Sequence, residues 1–63
     1  MNIKLRSQSG KNYYATFATD DFKDTVKMIL DCGLIYIKVT DKKGRKGLLK
    51  ITEIESLIEE DDQ

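Results

Sequence analysis

Few residues in this chain are equipped for covalent chemistry. Histidine is absent and Cys32 is the single cysteine. A thiol–imidazole pair and a zinc site of the Cys/His type therefore cannot be assembled, and an intrachain disulfide is impossible. A nucleophile and its base would have to come from serine, lysine, tyrosine or carboxylates, which occur singly or at positions that alternate toward solvent. The acid pair Asp20 and Asp21 suits the positive end of a helix, and the run Glu59, Glu60, Asp61, Asp62 suits a solvated tail. Ser9-Gly10-Lys11 lacks the earlier glycine and the strand-to-helix setting of a phosphate loop. No catalytic residue, metal or cofactor is expected, and Cys32 reads as a small packing residue.

Binding chemistry is better represented. Lys42, Lys43, Arg45 and Lys46 surround Gly44 and precede Gly47. At a hairpin tip such a cluster can meet phosphates, and it also keeps a hairpin soluble and discourages edge-to-edge pairing. Tyr14 and Tyr36 fall on the outer side of their strands, where aromatic rings can stack on unpaired bases or fill a protein interface. The acids Glu59, Glu60, Asp61 and Asp62 can dock on a basic partner, or neutralise the basic loop of the same molecule. Charge is strongly segregated along the chain. Residues 1–50 hold all 11 basic side chains against five aspartates, a balance of +6, and residues 51–63 hold six acids and no base, a balance of −6.

The elements that must position these residues are marked by periodicity. Residues 19–33 read as the one helix, with Thr19 or Asp20 as cap, Gly33 as terminator, and Phe22, Val26, Ile29 and Leu30 as the buried stripe. Before it, residues 2–8 alternate with Ile3, Leu5 and Ser7 on one face. Residues 9–12 supply a tight turn, and residues 13–18 form a second strand facing Tyr13, Ala15 and Phe17 to the core. After the helix, residues 34–41 set Ile35, Ile37 and Val39 on one side of a central strand; residues 42–47 form a loop and the apolar pattern resumes at residues 48–51. Residues 51–60 fit two descriptions. Thr52 and Glu55 match a capping box for a short helix, whereas Ile54, Ser56 and Ile58 alternate as an edge strand after a single helical turn, and the strand is the preferred reading.

The expected fold is α+β: a small antiparallel sheet in the order β-β-α-β-β, with a short C-terminal strand or helix, and the helix packed across one face. Residues 1–59 form one domain and residues 60–63 an acidic, frayed tail. A chain of 63 residues buries only about 60% of the surface it exposes when unfolded, so a homodimer is the natural source of further stability. One unpaired cysteine, no apolar leader and no membrane-length apolar run point to the cytoplasm. In size and element order the chain is similar to many small accessory proteins of bacteria and phages, with no motif that selects a family. The function expected is a non-enzymatic, regulatory interaction module that binds a protein partner through its outer sheet face and charged ends. The alternative is nucleic-acid binding by residues 42–47 and exposed tyrosines.

Overall fold

Alternation, turn chemistry and helical period produce two hairpins flanking one helix in the computed structural model, which describes residues 1–31 and 33–60. Strands β1 (Asn2–Ser7) and β2 (Asn12–Thr16) form the first hairpin, and α1 (Phe22–Asp31) follows. Strands β3 (Tyr36–Thr40) and β4 (Lys46–Lys50) form the second, and a 3-10 turn at Ile51–Glu53 leads into β5 (Ile54–Glu59). All neighbouring pairs are antiparallel in the order β4-β3-β2-β1-β5. This is the expected α+β architecture.

Alternation in β1 is realised as written: Ile3, Leu5 and Ser7 are buried, and Lys4 and Arg6 turn to the opposite face. Leu5 stands opposite Tyr13 and Ile3 opposite Ala15, so Tyr13 and Ala15 share the helix side with Phe17, all packed on the core. The intervening turn is tight. Gly10 has φ of 89°, a conformation that favours glycine, and its N–H donates to the Ser7 carbonyl at 2.9 Å.

The helix starts later than its first polar residues suggest. The Asp21 carboxylate accepts the Lys23 N–H at 2.9 Å, and the Asp21 carbonyl accepts the Thr25 N–H at 3.0 Å, which makes Asp21 the cap in place of Thr19 or Asp20. Thr19 supports it from outside, its hydroxyl accepting the Asp21 N–H at 3.2 Å. Gly33 takes φ of 75°, as expected of the residue that ends the helix; Cys32, beside it, lies outside the described residues. The buried stripe is centred on Thr25 and Ile29, with Phe22 and Val26 half-buried, while Leu30 is 57% exposed. Thr25 can face the core because its hydroxyl donates to the Asp21 carbonyl at 3.0 Å. With positions 22, 25 and 29 aligned inward, position 30 lies about 100° round the helix and points away.

The second hairpin also shifts at its ends. Strand β3 lies inside the sheet, with Ile37 and Val39 buried, but it begins at Tyr36, and Ile35 is 65% exposed instead of extending the apolar row. Ile35 still holds the chain at this point, its carbonyl accepting the Ile51 N–H at 2.8 Å. Lys46 and Gly47, expected in the loop, already belong to β4.

Residues 51–59 form the turn-and-strand alternative, not the capping-box helix. Strand β5 pairs with β1, and the register shifts between Arg6 and Ser7. That bulge lets Ile54 and Leu57 both pack on the core although they are three residues apart, and it turns Ile58 to the outer face, 49% exposed. The expected Ile54, Ser56, Ile58 row is thereby broken. Glu60 remains tied to the sheet, its N–H donating to the Asn2 carbonyl at 2.8 Å.

Candidate partner-binding surface

One face of the sheet holds the helix, and the other is uncovered by any described element. Register determines what the open face displays. Lys46, Thr40, Tyr14, Lys4 and Ile58 stand opposite one another across all five strands. Lys38 faces Leu48 on one side of this row, and Arg6 lies beside Asn12 and Ser56 on the other. Tyr36 and Lys50 form a further pair. The face thus carries Lys4, Arg6, Lys38, Lys46 and Lys50. Opposing acids at its rim are Glu55, 3.4 Å from Arg6, and Glu60, which borders an open concavity with Tyr14, Lys38 and Lys46. The exposed surface of the helical side has the reverse character, with Asp20, Asp21, Asp24 and Asp31 against Lys23 and Lys27.

The second feature is a seam. Strands β2 and β3 are in register at Tyr14 opposite Thr40, where the Thr40 hydroxyl also donates to the Tyr14 carbonyl at 3.3 Å. Past that point, toward Phe17 and Tyr36, a cleft of about 550 Å³ opens between them, lined by Phe17, Met28, Leu34, Tyr36, Lys38 and Leu48 among others. Met28, Leu34, Tyr36 and Leu48 are each at least half exposed. Leu30 and Ile35, on the same helix end and the loop that follows, are exposed as well. Such a gathering is unusual. Monomeric domains scatter their exposed apolar residues, and a contiguous group marks a binding surface.

Comparison with protein-family models, curated proteins and solved structures found no match to this chain. The surface must therefore be read from its own residues. Of the expected binding residues, Tyr14 and Tyr36 do lie on the open face. They border different concavities, Tyr14 the basic one and Tyr36 the apolar cleft. The basic cluster is divided: Lys42, Lys43 and Arg45 occupy the loop, and Lys46 joins the outer face of β4. Arg45 is engaged within its own loop, its Nε 2.6 Å from an Asp41 carboxylate oxygen. The other oxygen accepts the Arg45 and Lys43 N–H groups, each at 2.9 Å. The Arg45 amide above all, then its guanidinium and the Lys43 amide, outweigh desolvation and hold the Asp41 carboxyl below its ordinary value of 3.8. Gly44 closes the turn by donating to the Asp41 carbonyl at 3.0 Å.

Glu59 and Glu60 lie at the β5 edge, remote in strand order from Tyr36; Asp61 and Asp62 lie outside the described residues. Sequence reasoning missed Leu30 and Ile35 as surface residues, because their periodicity is that of core, and it assigned Met28 to no face. It also passed over Lys4, Lys38 and Lys50, whose alternation already placed them with Tyr14 and Tyr36. No three of Cys, Asp and Glu come together as a metal cage among the described residues. Among the described residues, no helix is long and apolar enough to cross a membrane.

Proposed function

We propose that the chain is a non-enzymatic protein-interaction module of a regulatory kind, working in the cytoplasm, and that it docks its partner on the apolar cleft at the β2–β3 seam. The observation that carries this reading is the convergence of Met28, Leu34, Tyr36 and Leu48, all substantially exposed, on one concavity. Burying such a group on a partner removes apolar surface from water at about 25 cal/mol per Å², the leading favourable term in association.

A second copy of the chain is the occupant favoured by charge. Asp24 and Asp31, together with Lys27, line a shallow concavity that adjoins the cleft at Met28, and Lys38 and Lys50 lie on the sheet side of the cleft. A two-fold axis through such a patch sets the acidic rim of one copy on the basic rim of the other. The interaction reading and the dimer are tested together by sedimentation of the purified chain across concentration and by nuclease-treated pull-down from a lysate, each repeated with Leu34→Asp. Self-association that disappears in the variant supports the dimer. A distinct protein lost only with the variant supports a heterologous partner at the same cleft. A monomer that captures nothing at this site overturns the reading.

A further inference from the structure

The open sheet face presents a second surface, which adjoins the cleft and shares Lys38 and Leu48 with it. Tyr14 occupies the middle of the five-strand row Lys46, Thr40, Tyr14, Lys4, Ile58. With neighbouring strands about 4.8 Å apart, the row is about 19 Å long and places an ammonium on each side of the ring. Lys38 borders the same concavity as Tyr14 and Lys46, with Glu60 the one carboxylate among its described lining residues, so that two cations face one acid there and Lys4 adds a third cation beside it. Among the described residues, Lys4, Lys38 and Lys46 take part in no ion pair, the recorded pairs being Arg6 with Glu55 and Arg45 with Asp41.

We infer that this face binds a single strand of nucleic acid, laid across the β-strands with a base stacked on Tyr14 and its phosphates met by Lys4, Lys38 and Lys46. Three properties select this ligand class. An aromatic ring in an uncovered sheet face offers stacking to any unpaired base, which a duplex keeps inside its own stack. Flanking lysines supply point charges for a backbone that bears one phosphate per nucleotide. The hydroxyls of Thr16 and Thr40, which border the same concavity and donate to the Asn2 amide oxygen at 2.8 Å and the Tyr14 carbonyl at 3.3 Å respectively, keep acceptor capacity for sugar hydroxyls. An acidic protein segment would use the cations and leave the ring without a specific role.

The test is fluorescence anisotropy of the full chain with a labelled 12-nucleotide oligothymidylate, against a duplex of equal length, at 50 and 200 mM salt. Contact with three phosphates gives a log–log salt slope of about −2, so affinity falls roughly 20-fold between these conditions. Tyr14→Ala weakens binding about tenfold or more, Tyr14→Phe retains it, and Lys4→Glu with Lys46→Glu abolishes it. Lys23→Glu with Lys27→Glu, on the helical side, leaves it unchanged. Circular dichroism of each variant separates lost binding from lost fold, and the Tyr14→Phe and Lys4/Lys46 variants keep the question answerable if Tyr14→Ala unfolds. The inference is overturned by absence of binding at 50 mM salt, by duplex bound as tightly as single strand, by equal loss in the helical-side variant, or by equal affinity for a polyglutamate of the same charge.

Discussion

Adjacent leucines on β4 offer a sharp test of the docking cleft, because they face opposite sides of the sheet. Leu48 is 66% exposed and lines the cleft, whereas Leu49 is 7% exposed and belongs to the core. Leu48→Ala removes three carbon atoms worth about 0.8 kcal/mol each when fully buried. Scaled by the exposed fraction, docking loses about 1.6 kcal/mol per copy. In an isologous dimer the change occurs twice, giving about 3 kcal/mol, or a dissociation constant raised about 200-fold. The monomer fold should shift by no more than about 0.5 kcal/mol. Leu49→Ala has the opposite profile. It leaves a cavity in the core at a cost of about 2–5 kcal/mol, a large share of the roughly 3–9 kcal/mol expected for a domain of this size. Sedimentation equilibrium reads the first quantity and thermal unfolding at low concentration reads the second. An association constant unmoved by Leu48→Ala, or a melting temperature lowered as much by Leu48→Ala as by Leu49→Ala, would refute the assignment of the cleft.

Further outcomes follow from single contacts. Gly33→Ala forces a side chain into positive φ with no neighbour to gain from, so stability falls by about 1 kcal/mol and the melting temperature by about 4–8 °C. Thr25→Val replaces a buried hydroxyl whose acceptor, the Asp21 carbonyl, keeps the Thr25 N–H; denaturant unfolding should register a change under about 1 kcal/mol. Because the Asp41 carboxyl is depressed in the fold, its contribution is complete above its unfolded value near 3.8 and is lost as pH falls through the lower folded value. Amide resonances of Lys43 and Arg45 should therefore hold their positions at pH 5 and move together only in strongly acidic solution, and Asp41→Asn should shift both at neutral pH.

Much of the fold is legible in the sequence because local periodicity and global packing agree. Ile3, Leu5 and Ser7 alternate as a strand must, Gly33 marks a helix end, and residues 54–59 form the preferred strand, though with Ile54 and Leu57 inward in place of the Ile54, Ser56, Ile58 row. The ends of elements are less legible. Periodicity tells which face of α1 or β3 is apolar, but not how far the covering layer extends. A helix about 10–12 Å across lies on a sheet about 19 Å wide, so part of the apolar pattern has nothing above it. Ile35, just before β3, falls in that uncovered margin, while Leu30 is turned away by its place on the helix. The bulge opposite Ser7 was illegible for another reason: it depends on pairing between β1 and β5, segments nearly fifty residues apart. The division between basic face and apolar cleft likewise arises only when β2 and β3 meet, which no local pattern specifies.

The two outer strands carry opposite signs. Strand β4 has Lys46 and Lys50, and β5 has Glu55 and Glu59. Molecules bearing complementary edges could add head to tail, and a head-to-tail contact that does not close on itself grows without limit. The shifted register where β5 leaves Ser7 opposes this growth, because a bulged strand bends and twists and no longer presents a flat template to an incoming edge. The same irregularity that brings Ile54 and Leu57 to the core thus acts as a stop against filament growth.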